Sequence, residues 1–292
     1  MRERGLDLKT ALVLGRVSNL PTVWTSGLAG FWLAGGSLTD PALLLVLLAL
    51  SAFYAAGMYL NDAFDAAIDA RLRPERPIPA GVVAPETVWF AGMLLLLAGL
   101  SLTLLAASVG GRHPTAAVAT GLILAFAILL YDFRHKEVRW SPLVMGACRG
   151  LAWLVAGTCV TPMPPLGLLL AAGAGFAHVV GLSYVARQEH LARLEAAWPL
   201  LLLALSPLIG LFFASAHPLG LLSWAGLVLA IAAGLGLFAR RRAGDVPRAV
   251  VLLLAAICLL DGSFLAAAGW PALFGPAGFA LTLALQRCVR GT

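Results

Sequence analysis

The chain has 292 residues, 61% of them hydrophobic and 12% charged, with a formal net charge of +6. A soluble domain carries about 25% charged residues, so this chain has too little polar surface to coat a water-soluble globule. Its positive charge gathers in alternate connections between apolar stretches, a distribution that excludes a nucleic-acid surface as the explanation.

Apolar segments fall at 11–35, 41–62, 86–109, 114–133, 141–160, 164–185, 197–215, 219–239, 248–268 and 271–287. They run for about 20 residues without period-two alternation, which suits helices crossing a hydrocarbon core of about 30 Å. Barrel strands would need only about 10 alternating residues. Backbone groups in lipid must be satisfied within the chain. The expected fold is therefore all-α: a polytopic membrane bundle of nine or ten transmembrane helices, forming one domain over 1–292. The count turns on 248–268 and 271–287, separated by a short Gly-Trp-Pro break and readable as two spans or as one span and a partial one. No small-residue cleavage site follows the charged start, so no cleaved signal peptide is expected. Cys148, Cys159, Cys258 and Cys288 are scattered and signal neither a disulfide framework nor a metal site.

The connections set the orientation. The N-terminus holds Arg2, Arg4 and Lys9, and the even-numbered connections hold Arg71, Arg73 and Arg76, then Arg134, Lys136 and Arg139, then Arg187 and Arg193, then Arg240, Arg241, Arg242 and Arg248. The odd-numbered connections carry Arg112 alone. Positive residues are retained on the cytoplasmic side, which places the N-terminus and the even connections there.

At the end of the second segment stands Asn61-Asp62-Ala63-Phe64-Asp65-Ala66-Ala67-Ile68-Asp69. On a continuing helix Asn61, Asp65 and Asp69 share one face, and Asp62 borders it. Like charges at this spacing destabilise a helix, and nearby lipid makes that worse. A cation is needed, and Mg2+ fits, being a hard ion held by one or two carboxylates together with substrate phosphates. The metal ligands expected are Asn61, Asp62, Asp65 and Asp69. The stretch from Arg71 to Gly81 follows, with Arg76 followed by Pro77-Ile78-Pro79-Ala80-Gly81. A guanidinium fork matches phosphate geometry, and the prolines fix where it points. Carboxylates, Mg2+ and arginine together describe a site for a diphosphate on a greasy tail. The competing reading is a charged loop that merely anchors helix ends.

Asn-Asp-x-x-Asp-x-x-x-Asp followed by Arg-Pro-x-x-x-Gly resembles the first aspartate-rich motif of UbiA-type intramembrane prenyltransferases. Tyr131-Asp132-Phe133-Arg134-His135-Lys136 is similar to that family's Tyr-Ser-x-x-Leu-Lys, in which the lysine contacts diphosphate, and Arg16-x-x-Asn19-Leu20 is similar to its start of helix one. The resemblance implies a helical bundle around a central chamber open laterally to lipid. It implies Mg2+-dependent transfer of a prenyl group from a polyprenyl diphosphate to a small, often aromatic, acceptor. Asp65, Asp69 and Lys136 are the expected catalytic residues, with Asn19, Asn61 and Arg76 binding substrate.

The family's second acidic motif is expected at the cytoplasmic end of helix six. That place reads Gly181-Leu182-Ser183-Tyr184-Val185-Ala186-Arg187-Gln188-Glu189-His190, without aspartate. Either Arg187 pairs with the diphosphate and replaces a second metal, with Tyr184 and Glu189 beside it, or catalysis is altered and the protein binds or exports a lipid or metabolite. Glu189 reads as a ligand or as the partner of Arg187. This pattern, with Gly146-Ala147-Cys148-Arg149-Gly150, looks like the EboC-like branch of the family.

Arg149 and Asp261 lie inside apolar segments, where lone charges are costly and face the bundle interior. They read as partners of each other, or Arg149 reaches toward diphosphate. His178 reads as a satisfied core histidine or, less simply, a base. Trp24 and Trp153 read as packing residues or as an aromatic wall for a cation.

Overall fold

The computed structural model describes residues 6–109, 112, 114–134, 138–187 and 198–289. Among these the chain is all helical. Its α-helices are α1 (Leu8–Leu14), α2 (Leu20–Leu33), α3 (Ala42–Phe64), α4 (Ala66–Leu72), α5 (Pro85–Ser108), α6 (Thr115–Arg134), α7 (Ser141–Thr158), α8 (Leu166–Arg187), α9 (Trp198–Ala214), α10 (Pro218–Arg240), α11 (Asp245–Phe264) and α12 (Phe274–Cys288). Setting aside the short α1 and α4, ten helices stand where ten apolar segments were expected. Six of them (α3, α5, α6, α8, α10 and α11) are long and apolar enough to cross a membrane. The other four, α2, α7, α9 and α12, have 14, 18, 17 and 15 residues.

Helix starts follow local chemistry. Proline stands in the first turn of α2, α5, α7 and α10, where its missing N–H has no helical partner to lose. Asp7 caps α1, its carboxylate accepting from the Thr10 amide at 2.8 Å.

Helix α2 is the hub. It packs against α3, α7, α8, α11 and α12, while neighbours in sequence pack in succession around it. Close approach is needed at the hub: a Cβ on Gly30 would meet the Trp153 carbonyl oxygen of α7 at 2.6 Å. Helices α11 and α12 touch backbone to backbone at Gly262 and Gly275, as small residues allow in lipid. One large apolar cluster joins α7, α8, α10 and α11, and a second joins α2, α3, α5, α6 and α7.

Two expectations change. The first apolar segment is not one helix. It breaks between α1 and α2 at Arg16, whose φ of 42° and ψ of 48° are left-handed, followed by a 3₁₀ turn over Val17–Asn19. Nor does the second helix run unbroken through the acids. It ends at Phe64, and α4 restarts at Ala66. Asp65 keeps a right-handed backbone (φ −81°, ψ −5°), and its carbonyl accepts from both Ile68 and Asp69. This tightened turn lets the chain bend while Asp69 stays buried.

Candidate active site

A small third cluster explains how the loop after α4 is held. Leu14 of α1, Tyr59 of α3, Ile78 and Val83 of the loop, and Val88 of α5 bury one another. Within the loop the Ala80 amide donates to the Arg76 carbonyl, Gly81 to Ile78, and Val82 to Pro77. Gly81 closes these turns with φ +70°, a conformation glycine adopts without strain. The proline-rich stretch is thus a compact knot seated by Ile78, and Arg76 projects from it in a fixed direction.

Arg76 points back at the acids. Its Nη1 lies 2.6 Å from Asp69 Oδ2 and 3.1 Å from Asp62 Oδ1. Asp62 Oδ1 also accepts from Arg16 Nη2 at 3.1 Å. The strained turn at Arg16 therefore serves a purpose: it carries the guanidinium from the α1–α2 junction to the end of α3. Tyr54 and Tyr59 of α3 hold that junction by donating to the carbonyls of Arg16 and Ala11.

Asn61, Asp62, Asp65 and Asp69 are all buried, at 4–8% exposure. A fifth polar residue joins them. Asp132, in the last turn of α6, is 4% exposed and accepts from the Asn61 amide nitrogen at 3.3 Å. Its other oxygen, Oδ2, is buried with no hydrogen-bond partner. The rings of Phe64 and Phe133, edge to face at 6.1 Å, fix the ends of α3 and α6 together.

Four buried carboxylates thus gather where α3 and α6 both terminate, and two of them, Asp62 and Asp69, meet the guanidinium groups. Helix C-termini carry partial negative charge, so the backbone adds to the demand for cations. Every donor in the group is hard oxygen, the set Mg2+ prefers. Among the described residues no three His, Cys, Asp or Glu side chains converge closely enough to hold a metal alone.

Asn19 is also buried here, accepting from Gln286 Nε2 of α12 at 2.7 Å. Arg187 is the last residue of α8. Its guanidinium donates to the carbonyls of Arg139 (3.1 Å) and Val138 (3.4 Å), just before α7. The Tyr184 hydroxyl donates to the same Arg139 carbonyl, and its ring packs on Trp198 at 4.7 Å. The pair therefore tethers the α6–α7 connection. Lys136 and Glu189 lie outside the described residues.

Deeper in the bundle, Arg149 and Asp261 are linked through α2. Arg149 donates to the Thr22 carbonyl (3.2 Å) and hydroxyl (3.0 Å). Asp261 accepts from Thr25 (2.7 Å) and Ser26 (2.9 Å), and Ser26 in turn lies 3.5 Å from Arg149. Here the partnership runs through hydroxyls. His178 is a satisfied core histidine, fully buried between the Ser206 hydroxyl (3.0 Å) and the Leu253 carbonyl (2.9 Å). Trp153 is fully buried with its ring against Gly175, a packing role. Trp24 is partly exposed and donates to Ser51 at 2.9 Å.

Residues 22–249 match the UbiA prenyltransferase family. Digeranylgeranylglyceryl phosphate synthase of Thermococcus onnurineus is 36% identical over 98 residues, 33% of this chain and 36% of that protein. 4-Hydroxybenzoate octaprenyltransferase of Nitrosococcus oceani is 30% identical over 157 residues, 51% of this chain and 50% of that protein. The chain thus spans about a third of the first relative and half of the second. A solved UbiA homolog from Aeropyrum pernix K1 superposes with a TM-score of 0.65 over 87% of this chain and 98% of that one, at 17% identity, so the fold is shared.

Proposed function

The chain belongs to the UbiA prenyltransferase family, and on that premise we propose that it transfers a prenyl group from a polyprenyl diphosphate to a small acceptor within the membrane. One observation carries the reading: buried acids at the ends of α3 and α6 face Arg16 and Arg76 at a single mouth of the bundle. Arginines already paired with carboxylates hold their forks rigid, and rigid forks suit phosphate oxygens.

Each residue then has a task. Asp69 and Asp62 orient Arg76, and Asp62 orients Arg16, so both guanidiniums present donors to the diphosphate. Asn61 and Asp65 would hold Mg2+ together with diphosphate oxygens. When bound, Mg2+ would stabilise charge on the departing diphosphate. The allylic C–O bond breaks with its electron pair leaving on diphosphate. The acceptor nucleophile takes the allylic carbon and loses a proton. The apolar walls of the bundle keep water from that cation. Lys136 is the further diphosphate contact in this reading. The prevalence of arginine in alternate connections supports a cytoplasmic mouth in a bacterial inner membrane.

Arg187 joins the reading as a tether for the α6–α7 connection, which carries Lys136. A second reading, a lipid- or metabolite-binding protein that no longer releases diphosphate, is favoured by one observation: the described end of α8 offers Arg187 and no acid. Assay of the purified protein in nanodiscs with geranyl, farnesyl and geranylgeranyl diphosphates separates the two. Prenyl transfer predicts diphosphate release in the presence of acceptor, abolished by EDTA and by Asp65→Asn. Bound prenyl lipid without release for any donor would favour the second reading.

A further inference from the structure

We infer that Asp132 is a ligand of the divalent cation in this site, supplying from α6 a carboxylate that the described end of α8 lacks. The inference rests on the diphosphate reading above and adds a residue to it.

The acids in the cluster differ in what already satisfies them. Asp62 is shared by two guanidiniums, and Asp69 is held by Arg76 at 2.6 Å. Asp132 has an amide on one oxygen and nothing on the other, although that oxygen is shut away from solvent. An unmet buried acceptor is destabilising, the more so if charged. Its place in the last turn of a 20-residue helix adds the adverse end of the helix dipole. A carboxylate retained there needs a cation, yet the arginines at hand are directed to Asp62 and Asp69.

The geometry supplies the rest. The Asn61 amide fixes one oxygen of Asp132, and the Phe64–Phe133 contact fixes the two helix ends, so the open oxygen has a set position beside the α3 acids. A divalent ion bridging α3 and α6 would take few protein oxygens and fill its remaining positions with diphosphate and water, the usual arrangement for Mg2+. Such a bridge explains how a single-metal site is completed when α8 offers Arg187 in place of an acid.

The test uses the full-length protein in nanodiscs, Mn2+ as the probe, inorganic diphosphate present, and electron paramagnetic resonance to separate free from bound Mn2+. Asp132→Asn should weaken Mn2+ binding by about ten-fold or more, while Asp132→Glu should restore most of it. Asp40→Asn, which breaks the distant pair with Arg112, should leave binding unchanged. Wild-type affinity in Asp132→Asn overturns the inference. If Asp65→Asn abolishes binding and Asp132→Asn does not, the inference fails and the diphosphate reading stands. If the wild-type protein binds no Mn2+ with diphosphate, both fail. Should Asp132→Asn not fold, Fe2+ with ascorbate and peroxide cleaves the wild-type backbone next to the metal. Cuts in α6 around residue 132 support the assignment, and cuts confined to α3 and α4 overturn it.

Discussion

At the scale of single residues, the site is governed by where two arginines point. Arg76 meets two acids through one nitrogen, leaving the rest of its planar fork for a ligand. A lysine keeps the charge and loses the fork. Hydrogen bonds to charged groups contribute about 1.5–3 kcal/mol, and each 1.36 kcal/mol is tenfold in rate. Arg76→Lys should therefore lower kcat/KM for prenyl diphosphate by about 10–100-fold, measured by diphosphate release, with little change in Tm. Arg16 offers a separate test of its left-handed backbone. Arg16→Ala and Arg16→Gly both remove the ion pair to Asp62, but only glycine relieves the strain of φ 42°, worth about 1–2 kcal/mol. Arg16→Gly should unfold at a higher temperature than Arg16→Ala, by scanning fluorimetry in detergent, while both lose activity alike.

At the scale of elements, the loop after α4 works as a preset jaw. Ile78 seats it in the small cluster with Leu14, Tyr59 and Val88. Truncating a buried isoleucine to alanine costs about 2–5 kcal/mol where the site cannot collapse. Ile78→Ala should speed hydrogen–deuterium exchange over residues 73–84 and raise KM for the diphosphate substrate, leaving exchange in α10 and α11 unchanged. This element also shows what the sequence revealed. The acids were legible because their spacing is local, and the Arg-Pro-x-x-x-Gly run because proline and glycine constrain the backbone whatever surrounds them. The break at Asp65 was not legible, since one tightened turn leaves the apolar pattern on either side intact. Asp132 was passed over because its contact with Asn61 joins residues far apart in sequence, which periodicity cannot register. The two carbonyls that Arg187 meets were not legible for a related reason, since backbone acceptors carry no side-chain signature.

At the scale of the whole molecule, ten apolar runs were enough to read a helical membrane bundle, because lipid admits only helices and closed barrels and the runs are too long and unalternating for barrel strands. Helix order around α2 was not readable, since it depends on glycines such as Gly30 that look alike in any apolar segment. The Arg149–Thr22–Ser26–Asp261 chain ties α7 and α11 to that hub. Removing one partner of a buried charge pair costs about 3–5 kcal/mol, whereas replacing both can be neutral. Asp261→Ala should lower Tm markedly, and Arg149→Met with Asp261→Leu should recover much of the loss. Differential scanning fluorimetry in detergent decides it; equal losses in the single and double variants would remove the coupling.

The bond from Gln286 to Asn19 joins α12 to the turn that precedes α2. The two residues stand 267 positions apart in sequence. A chain cut between α11 and α12 would therefore lose a bond at the turn that follows Arg16, while keeping every helix that carries an acid of the cluster.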